Sequence, residues 1–158
     1  PPHMPITWDT VDWIRSITNL PIVIKGIMRS EDAIACVDRG IEGIIVSNHG
    51  GRQLDGQAST IEVLPQIVSV ARQKCEIFVD GGFRRGIDIL KALSLGAKAV
   101  LIARPVFYGL AVAGEAGVTG VLDILRKELY EAMALCGVAN LAEVDEKLVH
   151  NYSSIQGL

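Results

Sequence analysis

The 158-residue chain is 49% hydrophobic and 21% charged, with a formal net charge of −3, the composition of a globular domain with a sizeable core rather than a disordered segment. Its slight acidity argues against nucleic acid as a partner, since phosphate backbones are gripped by clustered Lys and Arg. No run of 18 apolar residues occurs, so no membrane-spanning helix is expected, and the opening PPHMPITW lacks the basic-then-apolar layout of a signal peptide.

An initial helix is expected from about Trp8 to Ile17, followed by four short apolar runs: PIVIKG (21–26), GIIVSN (43–48), EIFVDGG (76–82) and AVLIAR (99–104). Each is rich in β-branched residues and nearly continuous, as parallel strands covered on both faces should be. The spacing predicts strands near 21–25, 43–47, 76–80 and 99–103. Between them Ser30 is expected to cap a helix through Ile34 and Val37 that ends near Gly40. Ser59 and Glu62 form a capping box ahead of Ile61, Leu64, Ile67 and Val68. A third helix is expected over Arg85–Leu95, stopping at Gly96, and a longer one over 117–136, ended by Gly137 and followed by a short tail.

The order is β-α four times, in one domain covering 1–158. It admits either a small open doubly wound sheet or half of a (β/α)8 barrel, since a whole barrel needs roughly 250 residues. The polar residues favour the half-barrel. Every strand stops in a polar or glycine-rich cluster, at Lys25-Gly26, Ser47-Asn48-His49-Gly50-Gly51-Arg52, Asp80-Gly81-Gly82 and Arg104. Ligands of parallel α/β folds sit at the carboxyl ends of strands, and four consecutive contributions suit one shared mouth. A half-barrel leaves two open strand edges, so it is expected to self-associate or to pair with a separate N-terminal half.

Cys36, Cys75 and Cys136 are odd in number, form no C-x-x-C pair and read as buried, reduced thiols of a reducing, intracellular compartment. His3 and His150 near the termini have no partner spacing that suggests a metal, and Tyr152 lies in a polar tail. Trp8, Trp13, Phe78, Phe107 and Tyr108 read as packing residues rather than ligand-stacking ones.

The strand ends carry the chemistry. Lys25 either pairs with a carboxylate or offers a fixed cation to a ligand. His49 is followed by two glycines that allow a sharp turn, and Arg52 is placed to grip a carboxylate through two parallel hydrogen bonds. A base near neutrality beside such a clamp suits an α-substituted acid. Gly81-Gly82, Arg84 and a helix start read as an anion site, to which Arg104 adds charge from the next strand. Asp80 either accepts hydrogen bonds from ligand hydroxyls or pairs with Arg84 or Lys25.

With these motifs in place, SNHGGRQ (47–53) resembles the signature of the FMN-dependent 2-hydroxy acid oxidases and dehydrogenases, which include glycolate, hydroxyacid and lactate oxidases. LPIVIKG (20–26), VDGGFRRG (79–86) and LGAKAVLIARPVFYGLA (95–111) are similar to the family's other strand-end blocks, in order. The resemblance covers nearly the whole chain but only the second half of the family's barrel, strands five to eight. It implies FMN as cofactor and oxidation of a small 2-hydroxy acid to a 2-oxo acid, with oxygen going to hydrogen peroxide. It implies Lys25 near the flavin N1–O2 side, Ser47 bonded to the flavin, and Asp80 on the ribityl chain. Gly82, Arg84 and Arg104 would cradle the phosphate, His49 would be the base and Arg52 would hold the substrate carboxylate. Ala103 stands where the family usually has glycine. The absent half normally supplies substrate-orienting tyrosines and the aspartate that orients the histidine, so a catalytically silent half-barrel that at most binds phosphate or flavin is the alternative. A peroxisomal or cytoplasmic setting follows from the resemblance, although the chain ends in SSIQGL rather than Ser-Lys-Leu.

Overall fold

The computed structural model describes residues 6–149; His3, His150 and Tyr152 lie outside them. Helix α1 (Trp8–Ile17) leads into β1 (Val23–Ile27), α2 (Ser30–Asp38), β2 (Gly43–Val46), α3 (Thr60–Ala71), β3 (Glu76–Asp80), α4 (Gly86–Ser94), β4 (Ala99–Leu101) and α5 (Arg104–Leu135). The four strands are parallel and lie in the order β1-β2-β3-β4, so α2, α3 and α4 are the crossovers between neighbours. This is half of a (β/α)8 barrel, as the sequence pattern predicts.

The sheet is one-sided. Ile27, Val46, Val79 and Val100 stand in one row across the four strands, with Ile44 beside Ile77 one step earlier. Ile44, Val46 and Val79 are fully buried, packed with Leu64, Ile67 and Ala71 of α3 and Ala33 and Cys36 of α2. Each such Ile, Leu or Val contributes about 1.5–3 kcal/mol by leaving water. Side chains alternate along a strand, so the other face carries Val23, Lys25, Ile45, Phe78, Ala99 and Leu101. Val23 is 47% and Leu101 37% exposed, which marks this as an uncovered layer.

Several boundaries move for identifiable reasons. Strand β1 starts two residues later than expected because Pro21 has no N–H and the Ile22 N–H donates to the Glu42 carboxylate at 2.7 Å. It continues to Ile27 through a bulge, Lys25 pairing Ile45 and Ile27 pairing Val46, with Gly26 the extra residue. Strand β4 stops at Leu101, not 103, because Arg104-Pro105 begins a helix. Ser30 is the first helical residue of α2, and Arg29 holds the cap position. The Ser59–Glu62 box is present, the Ser59 N–H and hydroxyl both reaching Glu62 Oε2 at 2.8 and 2.7 Å. Cys36 and Cys75 are buried but Cys136 is exposed, against expectation; burial pushes the Cys36 thiol up to about 11. Trp13 and Tyr108 are also exposed rather than packed.

Helix α5 is longer than the predicted 117–136 and is broken. Counted as one helix, Arg104–Leu135 is long and apolar enough to cross a membrane, but the break divides that stretch. Ala113 (φ −148°, ψ 26°) and Gly114 (φ 57°, ψ −136°) leave the helical region, so 104–112 and 115–135 are separate straight pieces. They fold back on each other: a Cβ on Gly109 would lie 2.4 Å from the Gly117 carbonyl oxygen. Gly86 makes a similar approach to α5, where a Cβ would lie 2.0 Å from the Leu129 nitrogen. The Glu128 carboxylate secures that junction, accepting from the Gly86 N–H and the Arg85 guanidinium at 2.9 Å.

Two outcomes follow. Gly86→Ala forces α4 away from α5 and is expected to lower stability by about 2–4 kcal/mol, read from the urea midpoint with an unchanged slope. Glu42 is held down to about 2 by hydrogen bonds from the Arg15 guanidinium and then the Ile22 N–H. Its folded value lies below the ordinary 4.5, so its contribution is full above that pH and fades as pH falls towards 2. In acid titration the gap between wild type and Glu42→Gln should close over that window.

Candidate functional site

The carboxyl ends of all four strands open on one cavity of about 460 Å³, lined by Lys25, His49, Gly50, Arg52, Asp80, Gly81, Gly82, Phe83, Arg84, Ala103, Arg104 and Phe107, among others. Seven of the eight site residues expected from sequence therefore share one space. The eighth, Ser47, is 2% exposed and lies beneath it. The bulge at Gly26 sits immediately after Lys25 and leaves that residue on the open face in register with Ile45, two residues before Ser47. Its Nζ donates to Ser47 Oγ at 2.8 Å and lies 2.8 Å from Asp80 Oδ2. Lys25 thus fastens the ends of β1, β2 and β3 together, and of the two partners open to Asp80 the structure takes Lys25 rather than Arg84. Asp80 Oδ1 is buried and has no hydrogen-bond partner among the described residues.

After β2 the chain turns through a short 3-10 segment, His49–Gly51. His49, Gly50 and Gly51 all have left-handed φ, at 58°, 68° and 74°. For glycine this costs little, but for histidine it is strained by about 1–2 kcal/mol. The turn is held from below, the His49 N–H donating to Ser47 Oγ at 3.1 Å and the Gly51 N–H to Asn48 Oδ1 at 3.2 Å. Asn48 Nδ2 in turn donates to the Ala58 carbonyl. The His49 imidazole and Arg52 guanidinium are exposed and make no hydrogen bond or ion pair among the described residues, so both face the cavity uncommitted.

The anion site differs in detail from the expectation. Asp88 Oδ2 accepts from the N–H groups of Arg84 and Arg85 at 3.0 and 2.9 Å, and Glu128 accepts from that of Gly86. The amino end of α4 is therefore satisfied internally and does not supply those amides to a ligand. What remains is Gly82 (φ 85°), with open space where a Cβ would stand, and the side chains of Arg84 and Arg104. Ala103 has φ −127° at the start of α5, so the methyl group in place of glycine carries no backbone strain. Four Lys and Arg against one Asp line the cavity, although the whole chain is acidic; a local excess of this kind draws anionic ligands.

Sequence reasoning missed three contributors. Asn48 lies inside the motif that drew attention, and the Asn-x-Gly-Gly pattern was the available signal. Thr60, 3% exposed, donates its hydroxyl to the Asp80 carbonyl and fixes the end of β3, with nothing in the local sequence to announce it. Phe107 was read as packing, but it is 64% exposed and lines the cavity.

Fold and site together define half of a (β/α)8 barrel, with a basic, glycine-lined cleft at the strand ends. A profile of the FMN-dependent dehydrogenase family matches residues 2–151, and the chain belongs to that family. It is 54% identical over 144 residues to 2-hydroxyacid oxidase 1 of Mus musculus, covering 91% of this chain and 39% of that protein. To the L-lactate oxidase of Nostoc sp. it is 52% identical, covering 92% of this chain and 40% of the relative. A mandelate oxidase mutant solved with a monooxide FMN adduct superposes with a TM-score of 0.86 at 49% identity, over 90% of this chain and 45% of that one. The chain thus spans about two-fifths of the length of the curated relatives it matches.

The Lys25–Asp80 pair can be weighed directly. Lys25→Met leaves the Asp80 carboxylate without its counter-charge and should cost about 1–3 kcal/mol, part of which Asp80→Asn restores in the same background. The coupling should be near 1 kcal/mol rather than that of a fully buried pair, because the Lys25 side chain is 40% exposed. A double-mutant cycle in urea checks this.

Proposed function

We propose that this chain is the FMN-holding and catalytic half of a flavin-dependent 2-hydroxy acid oxidase, completed by a complementary four-stranded half. The observation that carries the reading is the single cavity in which Lys25, His49, Arg52, Asp80, Gly82, Arg84 and Arg104 meet.

The residues present fit FMN on three counts. The orphaned, buried Asp80 Oδ1 calls for a donor such as a ribityl hydroxyl. The open space at Gly82 lets a phosphate approach the backbone. The guanidinium groups of Arg84 and Arg104 supply the charge to hold it. Ser47 Oγ accepts from Lys25 and from the His49 N–H, so its own hydroxyl proton is free to meet a ligand acceptor. Lys25 would neutralise negative charge developing beside it.

When bound, FMN supplies a two-electron acceptor. The protein's part is positioning and proton transfer. Arg52 would clamp the substrate carboxylate in bidentate fashion, and the turn sets His49 three residues away on the same cavity wall. Conversion of a 2-hydroxy to a 2-oxo acid releases two electrons and two protons, and His49 would accept one of those protons. The positive charge of Arg52 would favour the ionised form of the acid's carboxylate while the alcohol reacts. Oxygen as final acceptor, giving hydrogen peroxide, belongs to the same proposal.

The uncovered face of the sheet supports pairing. Val23, Leu101 and their neighbours form an apolar layer that other strands must cover, and β1 and β4 are free edges. Self-association of a catalytically silent half-barrel is the second reading of that same layer.

Flavin titration decides between them. The chain should bind FMN in preference to riboflavin, and anaerobic glycolate or lactate should bleach the flavin once the complementary half is present. His49→Ala should lower the bleaching rate by about 10²–10⁴-fold while leaving FMN binding intact. Bound FMN that never bleaches selects the silent module, absence of FMN binding removes the cofactor reading, and an unchanged rate in His49→Ala removes the base.

A further inference from the structure

Arg104 does not only line the anion site. It begins α5, just past β4, yet its Nη2 lies 3.5 Å from the carbonyl oxygen of Gly50, across the end of β3. A Cβ on Gly50 would fall 3.0 Å from the same nitrogen, so the guanidinium rests against the Gly50 backbone. That backbone is the middle of the turn carrying His49.

The contact is a weak one. At 3.5 Å to a neutral carbonyl it is at the outer limit of a hydrogen bond, whereas a phosphate oxygen would draw the guanidinium to about 2.8 Å through charge-assisted, bidentate bonds. An anion between Arg84 and Arg104 therefore outcompetes Gly50 for the arginine. The turn that loses this partner is easy to rotate at one point. His49 N–H is tied to Ser47 and Gly51 N–H to Asn48, but the Gly50 carbonyl has no other partner among the described residues, and both flanking residues of its peptide are glycine.

We propose that Arg104 is a positioning residue which couples occupancy of the anion site by a phosphate group to the conformation of the His49–Arg52 turn. This rests on the phosphate site proposed above and goes beyond it, because the group that holds the cofactor's far end then also sets the geometry of the base. Linkage makes the coupling reciprocal: whatever fixes the turn in its released form tightens phosphate binding.

The test is a titration of the ¹⁵N-labelled chain with inorganic phosphate, followed by amide NMR. Gly50 and Gly82 line the same cavity, so the Arg104 variants rather than the wild-type shifts alone separate the coupling from a direct effect of the bound anion. Saturable shifts at Gly82–Arg84 should be matched by shifts at Gly50 and Gly51 with the same midpoint. Arg104→Gln should weaken phosphate binding about 10-fold and remove the Gly50–Gly51 response, while Arg104→Lys should recover part of the affinity but not the response. FMN should displace the bound phosphate in ³¹P spectra; phosphate that stays bound to the FMN-saturated chain would make this a separate phosphate site and overturn the assignment to the cofactor's phosphate. If Gly82–Arg84 saturate while Gly50 and Gly51 stay still, or if Arg104→Gln responds as wild type does, the coupling is wrong and the phosphate site stands. Absence of any saturable shift removes the phosphate site and the coupling with it.

Discussion

Parallel pairing sets the carboxyl ends of β1, β2 and β3 side by side, and there one ammonium group, Lys25 Nζ, reaches Ser47 Oγ and Asp80 Oδ2, each at 2.8 Å. Three strands thereby end on a common polar node. The node does not stabilise much, since a pair this exposed gains in Coulomb energy little more than it loses in desolvation. Its value is positional. Ser47, held by Lys25, is also the acceptor for the His49 N–H, so the place of the ammonium is transmitted to the turn that carries the imidazole. Asp80 is fixed twice, by Lys25 at its carboxylate and by Thr60 at its carbonyl, and this leaves Oδ1 buried without a hydrogen-bond partner among the described residues. A buried acceptor left without a donor is the exception in folded proteins and invites one from outside the chain.

The rest of the architecture keeps that node in place from one side only. The helices bury Ile44, Val46, Ile77 and Val79 behind the sheet, and that core is dense enough to hold four parallel strands in register. In front, Ile45 and Phe78 stand in register beside Lys25 with no layer opposite them. The cleft is accordingly open. Charges in an open cleft are screened and cannot exert the field they would in a dry site. Covering that face would therefore add apolar burial and strengthen each charge at the strand ends, which ties stability and electrostatics to the same uncovered face.

Much of this was legible in the sequence. The β-branched runs and their polar ends specify parallel strands with a shared mouth, because a strand's apolar run and its termination at a site leave different residue types, although the coverage expected on both faces is seen on only one. The Ser59–Glu62 box was legible for the same reason: its physics is local. What could not be read depends on partners far along the chain. Glu128 caps α4 from 42 residues away, and nothing near Arg85 signals that the amino end of this helix is already satisfied. The backbone crossing of Gly109 and Gly117 needs the break at Ala113–Gly114, and the apolar pattern of α5 reads straight through it. The bulge at Gly26 likewise shifted β1, since a lone glycine in a strand does not say on which side the extra residue will go.

His49 is the position where local preference and structure disagree. At φ 58° an asparagine or glycine would be more comfortable, and glycine would relieve about 1 kcal/mol or more. The two residues that follow are glycine, so the chain uses the comfortable solution at the next two positions and not at the imidazole itself. Ser47 and Asn48 supply the hydrogen bonds that hold the strained residue in place. Strain of this kind persists where the surrounding structure over-determines it and where the side chain serves a purpose the backbone alone cannot. A left-handed histidine swings its imidazole off the line of β2 and over the cavity, within the same wall as Arg52. The chain thus gives up one comfortable backbone position to set an imidazole on the cavity wall.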